Sequence, residues 1–158
     1  MRFLFGKYRY SIDSKGRVSV PQRFREVLKN GNDRTLVLLE GFEGCLFCYP
    51  PDVFEQILHL LSQEAKDFDN EDVRELLRWM AAHGSEVEMD GQGRIQLTDD
   101  QRAVGKLERE ALLVGVGNRI EIWSPEEFNR RPNKSTGAGL AEGVLRKLDV
   151  TLKRGDES

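Results

Sequence analysis

The stretch Lys7-Tyr8-Arg9-Tyr10-Ser11-Ile12 alternates large apolar and polar side chains, the period-two pattern of a half-buried strand. Asp13-Ser14-Lys15-Gly16-Arg17 interrupts it with turn chemistry: an aspartate suited to accepting backbone N–H groups, and a glycine free to take a positive φ. Val18-Ser19-Val20 resumes the alternation. Pro21 suits a first helical turn, and Phe24, Val27 and Leu28 at i, i+3, i+4 predict a short helix ending near Asn30-Gly31-Asn32. Thr35 to Leu39 and Cys45 to Tyr49 read as strands joined by the glycine-bounded turn Gly41 to Gly44. Val53, Phe54, Ile57, Leu58 and Leu61 keep helical period over 52–61. A polar break from Gln63 to Asn70 predicts a gap before a second amphipathic helix at 71–82, with Asp69 or Asn70 as its cap.

The order of elements then repeats. Glu86 to Met89 stands for the opening strand and Asp90-Gly91-Gln92-Gly93-Arg94 for the turn, 77 residues after the first copy. Ile95 to Leu97 is the next strand, and Thr98-Asp99-Asp100 opens a helix carrying Ala103, Val104 and Leu107. Ala111 to Val116 matches Val37 to Phe42, Arg119 to Pro125 matches Cys45 to Pro51, and Phe128 takes the place of Phe54. The offset has shrunk to 74, so the second copy has lost three loop residues. The chain divides into a first repeat at 5–54, a helical insertion at 55–83, a second repeat at 84–128 and a flexible tail at 129–158. In that tail Leu140, Val144, Leu145 and Leu148 give one weak helical face. Apolar helices between repeats are core three times in four, at a rough prior; packing against a neighbouring subunit is the alternative, with Phe54, Leu61, Leu77 and Trp79 as candidates.

Composition narrows the function. With 158 residues, 39% hydrophobic and 32% charged, this is a globular chain with no run of the roughly 18 apolar residues a membrane span needs. The cytoplasm is the expected location. A net charge of −3 speaks against nucleic acid until its distribution is read. Residues 1–30 hold eight basic and two acidic groups, a net of +6 that leaves −9 for the remaining 128. Phosphate responds to local potential, so this segment is a candidate contact surface. The first turn lies inside it; the second sits among Glu86, Glu88, Asp99 and Asp100.

Other chemistry has little support. Cys45 and Cys48 form C-x-x-C, but on a strand i and i+3 point to opposite faces, and neither His59 nor His83 has metal spacing to them. No metal site, cofactor, catalytic residue or small-molecule substrate is expected. Gly115-Val116-Gly117 is too short for a nucleotide fingerprint.

Ser11 to Val18, Gly44-Cys45-Leu46-Phe47 with its following Tyr-Pro, and Gly115 to Trp123 resemble the MraZ family from about Phe5 to Phe128. The resemblance implies an α+β, mainly β fold: tandem AbrB-like swapped-hairpin repeats forming one pseudo-twofold barrel with flanking helices. It implies a nucleoid-associated DNA-binding regulator, usually a repressor. Such proteins bind short direct repeats upstream of their own cell-division and cell-wall gene cluster as a ring homo-oligomer. The family's DNA-contacting arginine transfers to Arg17 and, through the repeat, to Arg94, although Gln92 stands where Lys15 does. An AbrB-like antitoxin, or an assembly protein that does not bind DNA, is the alternative.

From the residues themselves, arginine on a short turn offers the forked donors that pair with guanine. Lys15, Arg9, Arg23, Arg25 and Lys7 are the candidate phosphate contacts. Asp13, Gly16, Asp90 and Gly93 support the turns. The sequence leaves open a simpler reading, in which Asp13 and Arg17 only pair across their own turn.

Overall fold

The computed structural model describes residues 3–28, 34–67, 69–131 and 143–148. It is α+β, with a mainly antiparallel sheet. The chain forms two compact units, Met1–Phe128 and Asn129–Ser158. In chain order the elements are β1 (Leu4–Ser11), β2 (Arg17–Ser19), α1 (Gln22–Leu28), β3 (Thr35–Glu40), β4 (Leu46–Tyr49), α2 (Pro51–Asp67), α3 (Glu71–His83), β5 (Ser85–Glu88), β6 (Arg94–Gln96), α4 (Asp99–Val104), β7 (Glu110–Gly117), β8 (Ile120–Trp123) and α5 (Pro125–Arg130). In the second unit residues 143–148 are helical, with Val144, Leu145 and Leu148 exposed. The expected helix end at Asn30 to Asn32, and the tail at 132–142 and 149–158, lie outside the described residues.

The strands interleave. Six of them form one sheet in the order β1-β7-β8-β4-β3-β5, and β2 pairs with β6 in a separate two-stranded ribbon. Exchanging each first-repeat strand for its second-repeat counterpart reverses this order onto itself. The opening strand of each repeat therefore hydrogen-bonds to the third strand of the other, β1 to β7 and β5 to β3. The partner strand comes from across the chain, so neither repeat has a complete sheet alone.

Period-two alternation divides the sheet's side chains between two cores. Leu36 and Leu38 of β3, Leu46 and Cys48 of β4, and Ile120 and Ile122 of β8 enter one cluster with Val18 and Ile95 of the ribbon. Val37, Leu39, Phe47, Tyr49, Leu112 and Trp123 enter the other, beneath the helices. Burying each large aliphatic side chain contributes about 1.5–3 kcal/mol, so both faces stabilise the sheet. Cys45 lies in the second cluster and Cys48 in the first, so the two thiols do face opposite ways. Desolvation pushes each thiol up to about 12.

Two sequence expectations change. The polar stretch at 63–67 continues α2, because Gln63, Glu64, Ala65 and Lys66 are strong helix formers on a solvent-facing surface. Solubility, not helix breaking, explains their polarity. Asn70 alone caps α3, its side chain accepting from the N–H groups of Asp72 and Val73 at 3.0 and 3.2 Å. Of the four candidates for contacts with a neighbouring subunit, Phe54, Leu61 and Trp79 are partly buried against the second core of their own sheet, and Leu77 is half-buried on α3 outside that cluster.

Candidate nucleic-acid interface

Each Asp-x-x-Gly-Arg turn is a closed hydrogen-bonded unit. In the first, Asp13 Oδ1 accepts from the N–H groups of Lys15 and Arg17 at 3.0 and 2.8 Å, and Oδ2 accepts from Arg17 Nε at 2.6 Å. Asp13 N–H donates to the Arg17 carbonyl and Gly16 N–H to that of Asp13, both at 3.0 Å. In the second, Asp90 Oδ1 accepts from Gln92 and Arg94 N–H, both at 2.9 Å, and Oδ2 from Arg94 Nε at 2.8 Å. Gly16 and Gly93 hold φ of +80° and +75°, where an L side chain is strained. The backbone N–H bond from the arginine leads the causes that hold both aspartates below the usual carboxylate range, with the arginine side chain adding to it.

This geometry does more than close a turn. Each aspartate takes the arginine by Nε, so the two terminal Nη groups have no partner among the described residues. With about a third of each side chain exposed, the ion pairs of Arg17 and Arg94 are screened by solvent and add little to stability. Their larger effect is to fix the direction of a planar donor fork.

The ribbon then brings the two turns together. Val18 pairs with Ile95, Arg17 with Gln96 and Ser19 with Arg94. Val18 and Ile95 point into the core, so alternation turns Arg17, Ser19, Arg94 and Gln96 to the outer face. Arg17 and Arg94 stand on neighbouring strands, offset by about 7 Å along them. Val20 N–H donates to the Gly93 carbonyl and Leu97 N–H to that of Gly16, both at 2.9 Å, tying each turn to the other repeat. A paired arginine fork on a two-stranded antiparallel ribbon has the dimensions to face a polyanion groove.

Sequence comparison agrees with this duplication. A family model described as "MraZ protein, putative antitoxin-like" matches the chain over residues 3–78 and again over 80–150. The chain belongs to the MraZ family. It is 41% identical to the transcriptional regulator MraZ of Desulforamulus reducens over 89% of this chain and 96% of that protein. It is 40% identical to the Alkaliphilus metalliredigens protein of the same name, over 79% of this chain and 83% of the relative. The Pelotomaculum thermopropionicum transcriptional regulator MraZ is 36% identical over 93% and 97%. These relatives are named as regulators, and that name denotes no enzyme class.

The other basic residues of this MraZ chain separate into two groups. Lys15 is exposed on the first turn, where its carbonyl accepts from Gln96 Nε2 at 3.0 Å. Arg25 leaves α1 to lie over the second turn: its Nε donates to the Val20 carbonyl at 3.0 Å, and a Cβ on Gly93 would meet its Cδ and Nη1 at 2.6 Å. Arg23 is exposed on α1, its guanidinium 5.1 Å from the centre of the Phe5 ring. Lys7 and Arg9 are not brought to the turns. Tyr8 and Tyr10 of β1 pack on the ribbon-side core, so the intervening Lys7 and Arg9 face the helix side. There Lys7 Nζ sits 5.5 Å from the centre of the Phe128 ring, and Arg9 pairs with Glu110.

Arg102 was not singled out from sequence. It extends from α4 to the first turn, where a Cβ on Gly16 would meet its Nε and Cζ at 3.3 and 3.4 Å. Its terminal nitrogen pairs with Asp99, and its buried Nε has no hydrogen-bond partner among the described residues. The signal was present: Arg102 follows Arg25 by the same 77 residues that separate the turns. The acidic neighbours Asp99 and Asp100 obscured it.

Proposed function

We propose that this MraZ chain is a transcription regulator that binds double-stranded DNA through the outer face of the β2–β6 ribbon. Arg17 reads base edges, Arg94 is its two-fold counterpart, and Lys15, Arg23 and Arg25 contact phosphates. Lys7 and Arg9 lie outside this surface. The observation that carries the reading is the pair of arginine forks held by Nε on one outer face, with their Nη groups available. The relatives' name, transcriptional regulator, supports the same reading.

In this reading the repeats form an AbrB-like swapped-hairpin barrel, consistent with the pairing of each opening strand to the other repeat. Subunits close into a ring, and successive subunits engage successive direct repeats upstream of the chain's own cell-division and cell-wall gene cluster, repressing it from the cytoplasmic nucleoid. Exposed Phe3, Phe5 and Val116 supply apolar surface for self-association. Joining several weak sites raises affinity through effective concentration.

The experiment is a mobility-shift titration of DNA from upstream of the gene, at two salt concentrations, with light scattering for assembly mass. Wild type should bind the repeat array far more tightly than one repeat, with affinity falling steeply in salt. Arg17→Ala should lose the specific complex while keeping fold and mass. Unchanged binding by a folded Arg17→Ala protein would refute the reading.

A further inference from the structure

We infer that Arg102 and Arg25 are positioning residues exchanged between the repeats: Arg102 of the second repeat sets the Asp13–Arg17 turn, and Arg25 of the first sets the Asp90–Arg94 turn. The inference rests on the reading of Arg17 and Arg94 as the base-contacting groups and extends it to what aims them.

The argument begins with the glycines. A positive φ explains why a turn favours glycine at 16 and 93, but not why the space a Cβ would occupy is filled. At Gly93 that space holds Arg25 Cδ and Nη1, and at Gly16 it holds the Leu97 carbonyl with Arg102 Nε and Cζ behind it. Each glycine thus serves as a seat for a side chain of the other repeat. The seated group is planar and lies against the turn on which the reading arginine is hinged.

The two seats are secured differently. Arg25 is anchored by its Nε to the Val20 carbonyl, beside the Val20 N–H bond to Gly93. Arg102 is anchored by its ion pair with Asp99, on its own helix. Its Nε is buried with no partner among the described residues, a cost usually offset by a role elsewhere. Covering the first turn supplies that role: the guanidinium restricts the backbone on which Asp13 is poised to grip Arg17. Among the described residues neither arginine hydrogen-bonds to Arg17 or Arg94, so each reaches them through the turn, Arg25 in addition to its proposed phosphate contact.

The test uses the full chain with 15N-labelled arginine and follows the Nε–H signals of Arg17 and Arg94, each held by its aspartate. Arg102→Ala should shift or broaden the Arg17 signal and leave Arg94 in place. Arg25→Ala should do the reverse. In the mobility-shift titration Arg102→Ala, which removes none of the proposed DNA contacts, should bind roughly ten-fold more weakly, less than the loss expected for Arg17→Ala. Arg102→Lys keeps the pair with Asp99 but not the flat guanidinium; read in the same way, it keeps the test open should Arg102→Ala not fold. A variant that perturbs the turn of its own repeat, both turns equally, or neither overturns the inference. The crossed pattern is read without DNA, so it stands even where Arg17→Ala leaves DNA binding intact.

Discussion

Val18 stands directly opposite Ile95 on the ribbon, 77 residues away in the chain, and both are 1% exposed. This pair lies where the two repeats meet, and the arginine turns diverge from it on either side.

Weakening that pair should loosen both turns together. Ile95→Ala is expected to cost about 2–5 kcal/mol and Ile95→Val about 1 kcal/mol in urea unfolding. Amide hydrogen exchange at Arg17 should accelerate alongside that at Arg94. Acceleration confined to the second turn would mean that the repeats fold independently.

The glycine seats separate conformational strain from occupied space. Gly44 has φ +86° with no described residue within 4 Å of an added Cβ, whereas Gly93 has φ +75° with Arg25 in the way. Gly44→Ala should cost about 1 kcal/mol from the left-handed backbone alone. Gly93→Ala should cost more, and the excess should vanish in an Arg25→Ala background, as read by a double-mutant cycle. An excess that persists would place the strain elsewhere.

Acid should unfold the chain partly through these turns. Asp13 and Asp90 titrate below the ordinary 3.8 when folded, so their ionised forms contribute stability above that value. The contribution is lost as pH falls from about 3.8 through the lowered folded values. The double variant Asp13→Asn, Asp90→Asn should therefore lose less stability than wild type between pH 5 and pH 2.5. Equal losses in urea titrations would exclude the turns as acid-sensitive elements.

The two cysteines should be inert until the sheet opens. Both are buried and pushed up to about 12 by desolvation, so almost no thiolate is present at pH 8. A thiol reagent should label neither in the native protein and both in urea. Rapid native labelling of Cys48 would show that the ribbon-side core opens readily.

The sequence alone determined the elements that depend on near neighbours. Alternation in residues 7–12, the compact apolar run at 35–39, helical period after Val53, and the Asp-x-x-Gly-Arg turns are visible because each arises from contacts a few residues apart. Both closed turns, with Asp13 on Arg17 and Asp90 on Arg94, follow from that local chemistry. Polarity at 63–67 misled because a solvent-facing helix and a loop share composition. The tertiary structure alone decided which residues share a surface. Exchanged strands moved Lys7 and Arg9 away from the turns and carried Arg102 to Gly16 and Arg25 to Gly93. The charge around each turn is therefore set partly by the other repeat, each turn receiving one arginine from it. Strand pairing over a hundred residues depends on which edge completes which sheet, and no local pattern encodes that choice.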